Sequence, residues 1–441
     1  MLKNPLNKAA IERLDQHGLT ADTHKVALAC ALLWTARTQT DVHHLLGLSG
    51  LTTSTGRAFT FNDVKSAVEE LKDKKLLLGD VAHRPNAFQL VDALRAPLYR
   101  QLLETRPGNC LPSLIAELDG FDLTRFGYYW PSSSLPATIA YVRAKFFSGT
   151  PSEELAAIRQ RVARSMDWNS ILTQALLLGF DGPSFEYIDP AERSWLACLG
   201  VASIGLNWAE DFNPIAEWAF DQLRRQPDQV SNDLRSALAE LALQRSDAAL
   251  LQEALQGLDN GLAAAIGAAA LVVDSQWAAG QAAFEAALKQ RKGEIGSSKN
   301  LLPVSIGWLY PLALLAQSTP KHLELARKFC IGEAGQRDPS AFSAWGRWVH
   351  AIDVRLGKTA IIHAAFQPAR DQEQRWGLGS LWAILLSAWL GSETIAAPGT
   401  QPTPHTASGW HETIIALRRK LLNCHLKLPS RMLRGAEELL S

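Results

Sequence analysis

From about residue 151 onward the chain contains no stretch in which apolar and polar residues alternate with the two-residue period of a half-buried strand. Helix-length apolar segments alternate instead with short breaks: 152–166 with 168–178, 190–208 with 214–225, 231–243 with 247–255, 262–274 with 276–292, and 301–316 with 321–334. Further segments follow at 340–356, 372–390, 411–425 and 430–440. The paired spacing of roughly 30–45 residues is the range of helical repeat arrays, in which each hairpin buries its apolar face only against its neighbours. An all-α solenoid is therefore expected over 151–441, with strands confined to the first 100 residues. With 47% apolar and 20% charged residues, the chain has ample apolar surface to offset the entropy of ordering, which excludes a mostly disordered protein.

The first 100 residues follow a different pattern. An apolar helix over 23–36 is followed by a short helix over 40–46, which Gly47 and Gly50 are expected to close, and by the polar loop 52–56. The next helix, with Asn62 or Asp63 as its cap, carries Val64, Ala67, Val68 and Leu71 at i, i+3, i+4 and i+7, one buried face. The segments 75–80 and 86–91 read as the two strands of a hairpin. Three helices followed by a β-hairpin is the order of a winged helix, and the run Phe59-Thr60-Phe61-Asn62-Asp63-Val64 through Leu71-Lys72-Asp73-Lys74-Lys75-Leu76-Leu77 resembles the third helix and first wing strand of such domains. The expected organisation is a winged-helix domain at 1–100, a connecting segment at 101–150 and the α-solenoid at 151–441.

Residues 262–292 resemble a tetratricopeptide unit. Ala265, Gly267, Ala268 and Ala269 are small residues suited to a close helix approach, and Gly280, Ala283, Phe284 and Ala287-Leu288 occupy the expected places of the second helix. The family's Trp, Leu-Gly and Tyr of the first helix are missing, so the array reads as degenerate. Residues 398–404, rich in Pro and Thr, read as a loop. The combined order resembles the regulatory part of large signal-transducing NTPases and the non-catalytic N-terminal region of long bacterial Swi/Snf-type helicases. The resemblance implies a protein partner, an ATPase or helicase among them. No functional residue of either family has a counterpart here.

Catalytic and ligand motifs are sparse. Gly357-Lys358-Thr359 has the end of a phosphate-binding loop, but Ile352 stands where its earlier glycine belongs and a helix replaces the required strand, so a helix-ending glycine is expected. The five cysteines form no Cys-x-x-Cys pair. His405, His411 and Cys424-His425 do not fall on one helical face, so no metal site and no cofactor are expected. His43-His44 lies in the short second helix, with one ring expected at the surface. Glu153-Glu154, Glu210-Asp211 and Glu437-Glu438 sit at helix starts or in loops, where acidic residues are expected as caps and dipole partners, and no Gly-x-Ser-x-Gly elbow occurs, so no enzymatic role is assigned. The uncharged stretches 300–320 and 376–392 are broken by Pro303 and Pro311 or by Gly377, Gly379 and Gly391, and read as core helices rather than membrane spans. No signal-peptide core follows the basic start, so a cytoplasmic location is expected. The helix-like end at 432–440 lacks a glycine cap, and any catalytic part is expected in a partner or beyond Ser441.

Two surfaces emerge as candidates. Of the 14 tryptophans, 12 follow residue 151, mostly as gap-filling side chains between paired helices. Phe342, Trp345 and Trp348, three residues apart and flanked by Arg347, form the candidate partner-binding face. The net charge is zero, but residues 1–100 carry 13 Lys and Arg against 10 Asp and Glu, and 411–441 carry six against three, so the ends are mildly basic and the middle is acidic. The third helix is expected to show Asp63, Glu69, Glu70 and Asp73 to solvent, which disfavours phosphate there. That leaves Lys74, Lys75, His83 and Arg84 of the wing as the candidate nucleic-acid contacts. The chain is thus expected to be a non-catalytic scaffold or regulatory module that docks a protein partner and guides it to nucleic acid. The alternatives are a transcription regulator reading DNA through the winged helix, and an enzyme whose site the sequence does not display.

Overall fold

The computed structural model describes residues 18–79, 86–105, 110–119, 135–207, 213–258, 260–296 and 301–362, with Ala365, Trp382, Leu385, Leu386, Trp389, Leu390 and Leu417. The protein is mostly helical, with one two-stranded sheet among these residues. It divides into two units, Met1–Gly200 with Pro214–Trp218, and Val201–Asn213 with Ala219–Ser441. The first unit therefore extends past the boundaries at 100 and 150 that the sequence pattern suggests.

In the first unit, α1 (Ala21–Leu33) starts at Thr20, whose hydroxyl accepts from the Thr23 amide, and is almost wholly apolar beyond its first turn. Trp34 ends it at φ 60°, a left-handed value that is strained for so bulky a residue. α2 (Gln39–Leu48) has a Thr38–Asp41 capping box and runs through Gly47, so Gly47 does not close it, while Gly50 just beyond takes φ 64°. α3 (Phe61–Asp73) buries Val64, Ala67, Val68 and Leu71 as the periodicity requires, and packs on α1 and α2. β1 (Leu77–Gly79) pairs antiparallel with β2 (Phe88–Leu90) in the register Leu77–Leu90 and Gly79–Phe88. Arg37, between α1 and α2, exchanges both backbone hydrogen bonds with Phe88 at 3.0 Å, adding a one-residue third rung to the hairpin. The unit continues with α4 (Asp92–Thr105) against α1, α5 (Cys110–Asp119), α6 (Leu135–Phe147), α7 (Ser152–Val162) and α8 (Trp168–Leu172), which widens into a π-helical turn at Thr173–Leu177. The short α9 (Gly182–Phe185) and α10 (Pro190–Asn207) follow.

α11 (Asn213–Arg225) leads into the hairpins of the second unit. α12 (Asn232–Gln244) pairs with α13 (Ala248–Leu255), and α14 (Gly261–Val273) with α15 (Trp277–Ile295). After the short α16 (Val304–Gly307), α17 (Leu309–Gln317) pairs with α18 (Pro320–Ala334), and α19 (Ala344–Arg355) packs on α18. The first helices of consecutive hairpins, α12, α14 and α17, also touch one another, so the hairpins stack. The α14–α15 approach depends on glycine. A Cβ on Gly280 would stand 2.6 Å from a Val272 methyl carbon and 3.4 Å from the Ala268 carbonyl oxygen. Gly267 faces open space instead and is no part of that approach. Gly357, at φ 71°, ends α19 with its amide on Val354 O, the expected helix stop. Among the described residues no strand follows residue 151, and no helix is long and apolar enough to cross a membrane.

Candidate functional site

The outer face of α3 and the adjoining hairpin form the first candidate surface. Thr60, not Asn62 or Asp63, is the helix cap. Asp63 is its reciprocal partner, accepting from the Thr60 amide at 2.8 Å. Arg57 grips the same carboxylate through both terminal nitrogens at 2.6 and 2.7 Å. The Arg57 pair and the Thr60 hydrogen bonds hold the Asp63 carboxyl well below its usual range. Glu70 is likewise withdrawn: it accepts the Thr23 hydroxyl at 2.5 Å and the Thr20 hydroxyl at 3.4 Å, bracing the start of α1. Two of the four carboxylates expected on the open face of α3 are therefore committed to local structure.

Of the wing candidates, Lys74 is committed as well. Its ammonium donates to Gly18 O at 3.1 Å and lies 3.6 Å from Glu70. Lys75 is exposed at φ 57°, and His83 and Arg84 lie outside the described residues. The solvent face of α3 consists of Phe61, Asn62, Lys65, Ser66, Glu69, Lys72 and Asp73, with Phe61 45% exposed. Leu78 of β1 points outward while Leu77, Phe88 and Leu90 face the core, as a period-2 strand with one solvated face requires. His43 bonds to Phe59 O at 3.1 Å through Nε2 and its ring meets Phe61 edge-on; His44 is the exposed member of the pair.

The second surface, around Phe342, divides into exposed and buried residues. Phe342 is 58% exposed and precedes the Ser343 cap of α19, so the three-residue helical spacing does not extend back to it. Trp345 is half-buried. Arg347 and Trp348 are 1% and 0% exposed and so cannot line a partner-binding face. Trp348 stands edge-on to Trp382 at 5.9 Å, and Trp345 lies 5.0 Å from Trp382 and 6.0 Å from Phe329. Gly346 lets the turn before α19 fold back onto the helix, because a Cβ there would sit 1.8 Å from Ser340 O.

The first unit also contains an internal constellation that sequence pattern does not reveal. The buried Arg143 guanidinium lies 3.2 Å from the Trp34 ring centroid, 4.4 Å from Phe147 and 4.5 Å from Tyr99, while Arg95 covers the Trp34 ring at 4.3 Å. Arg143 donates to Ala175 O and the Trp34 indole donates to Gln174 O at 2.9 Å; both acceptors belong to the π-helical turn. Burial pushes the Arg143 guanidinium down to about 9, so it stays charged at neutral pH, held by the ring faces and the Ala175 carbonyl with no carboxylate in direct contact. The only sequence signal is composition, an Arg in the apolar run of α6 and a Trp ending α1; the 140-residue separation of Trp34 from Gln174 conceals their contact.

No group of three or more His, Cys, Asp or Glu side chains that could hold a metal ion occurs among the described residues. His405, His411, Cys424 and His425 lie outside them. Cys30 and Cys330 are buried thiols whose pKa burial raises, Cys30 to about 12, so neither is poised as a nucleophile. Comparison of the chain with protein-family models, with curated proteins and with solved structures found no match.

Proposed function

We propose that this chain is a non-catalytic adaptor, in which a winged-helix domain docks a protein partner and the tetratricopeptide-like helical hairpins that follow in the chain serve as scaffold. The order of three helices and a hairpin, with the Arg37 rung between the first two helices, supports a winged helix. The stacking of α12, α14 and α17 supports a repeat array. The observation that carries the docking role is the outer face of α3. Its inner face is fully used by the core, whereas Phe61, Lys65, Ser66, Glu69 and Lys72 stand in solvent. An exposed aromatic ring among charges of both signs suits a protein surface better than a polyanion. The partner class implied by the sequence resemblance is an ATPase or helicase.

A second reading, duplex DNA binding, is favoured by one specific observation. With Asp63 and Glu70 withdrawn, the exposed charges of α3 and the turn after it among the described residues are Lys65, Lys72 and Lys75 against Glu69 and Asp73. Lys74→Glu is no clean probe of that reading, since it would break the hydrogen bond that holds Gly18. The discriminating experiment titrates the full chain with a labelled random-sequence DNA duplex, and places a photocrosslinker at Ser66. Adaptor docking predicts duplex binding indifferent to Lys65→Glu with Lys72→Glu, and a saturable protein adduct at Ser66 that Phe61→Asp removes. If the double variant abolishes duplex binding and lowers the salt slope by about 0.9 for each phosphate no longer neutralised, the DNA reading replaces it. If neither an adduct nor duplex binding occurs, both readings fail.

A further inference from the structure

α7 and the start of α10 up to Gly200, both in the first unit, carry a second surface, distinct in residues from the α3 face. α7 buries Leu155, Ile158 and Val162 on one side. Its solvent side carries a shallow, open depression lined by Ala156, Arg159, Gln160, Ala163 and Arg164, all on this helix and the turn that follows it. Residues 156, 160 and 163 fall within a narrow arc of the helix surface, so the two alanines form a low floor with Gln160 between them, while Arg159 and Arg164 stand on either side. Both arginines are exposed. Among the described residues neither has a carboxylate partner, and the exposed Arg161 of the same helix adds a third cation; two nearby pairs are matched, Glu154 with Lys145 at 2.5 Å and Glu186 with Arg193. Trp195, on α10, is 37% exposed, and the Arg159 guanidinium lies 5.7 Å from its ring centroid. Trp195 is thus more open than most of the described tryptophans and stands beside the Arg159 cation.

We infer that this depression binds single-stranded nucleic acid, with Arg159 and Arg164 on successive phosphates, Gln160 available to a sugar or base edge, and Trp195 as a stacking platform for an unpaired base. A positively charged track beside an aromatic ring is the chemistry by which single strands are held without sequence preference. Paired bases are already stacked within a duplex and cannot lie on an indole, so a duplex would use only the cations. An acidic peptide would also use only the cations and would leave Trp195 idle. The small side chains at 156 and 163 let a backbone approach the helix closely; larger ones would fill the floor.

The test measures fluorescence anisotropy of a labelled 20-nucleotide oligothymidylate with the full chain across a salt series, using unlabelled duplex and poly-glutamate as competitors. Arg159→Glu with Arg164→Glu is expected to reduce affinity at least tenfold and to lower the salt slope by about 1.4, two phosphates at roughly 0.7 each for single strands. Trp195→Ala is expected to weaken binding severalfold with the salt slope unchanged, and Trp195→Phe to restore most of it. All three positions are exposed, so the melting temperature is expected to hold and serves as the control for folding. Lys65→Glu with Lys72→Glu should leave oligothymidylate binding intact, which separates this site from the α3 face. The proposal is overturned if the wild-type chain does not bind the oligonucleotide, if the arginine pair is dispensable, or if duplex or poly-glutamate competes as well as the single strand does.

Discussion

At the residue scale, one carboxyl is placed against its own ionisation. Glu240 on α12 is half-buried as a residue, yet its carboxyl is enclosed and accepts the Ser305 hydroxyl at 2.5 Å. Burial pushes its pKa from 4.5 up to about 7. A carboxyl raised in the folded state binds its proton more tightly there than in the unfolded chain. Its contribution is therefore complete below pH 4.5 and is lost as pH rises through about 7. Glu240→Gln is expected to raise the thermal midpoint at pH 8, by the equivalent of about 1–3 kcal/mol, and to leave it nearly unchanged at pH 4. Calorimetry at the two pH values checks this. The aromatic residues around α19 make a second contrast. Trp348→Ala removes a fully buried ring and should cost about 3–5 kcal/mol, while Phe342→Ala removes an exposed one and should change stability by less than about 0.5 kcal/mol. Urea melts of both variants decide whether the split between core and surface falls between these two residues.

At the element scale, much of α3 is legible in its sequence. Val64, Ala67, Val68 and Leu71 fall on the core side because a 3.6-residue period leaves no other arrangement. The cap is less legible. Thr60-Phe61-Asn62-Asp63 offers three capping residue types within four positions, and only the reciprocal Thr60–Asp63 bonds, reinforced by Arg57, select the first. Thr60→Ala is therefore expected to destabilise the first unit by about 1 kcal/mol, detectable as a lowered urea midpoint with unchanged slope. Gly47 misleads for a related reason: glycine commonly ends helices, but α2 runs past it to Leu48 and the left-handed position falls at Gly50. In the hairpins the small residues at 268 and 280 mark the helix approach correctly, whereas Gly267, one residue away, points out of it. Composition identifies a close approach, and only helical phase identifies which residue makes it.

At the scale of the whole molecule, the helical content and, among the described residues, the confinement of strands to the N-terminal segment follow from periodicity, which is a local property. The division into units is not local. Trp34, Arg143 and the π-helical turn at 173–177 belong to one unit, and their contacts span up to 140 residues. No composition shift marks that connection. A fragment ending at residue 150 keeps Trp34 and Arg143 but lacks the Gln174 and Ala175 carbonyls they bind. It should melt at a lower temperature and more broadly than a fragment ending at residue 225, which retains both acceptors. Thermal unfolding of the two fragments, followed by far-ultraviolet ellipticity and by calorimetry, checks this; equal midpoints would mean the stack adds nothing to the unit's cooperativity.

The choice of detection matters for this chain. Trp345 and Trp382 lie 5.0 Å apart with their planes inclined by 43°, and Trp348 meets Trp382 at 76°. Indole chromophores held at such distances and skewed angles couple their electronic transitions and produce a split optical band that overlaps the helix signal. Ellipticity alone would therefore misstate the helix content of this protein. The same coupling supplies a local optical reporter: Trp345→Phe, at the half-buried member of the cluster, should alter the band shape while the amide hydrogen-exchange protection of the hairpins stays as it was.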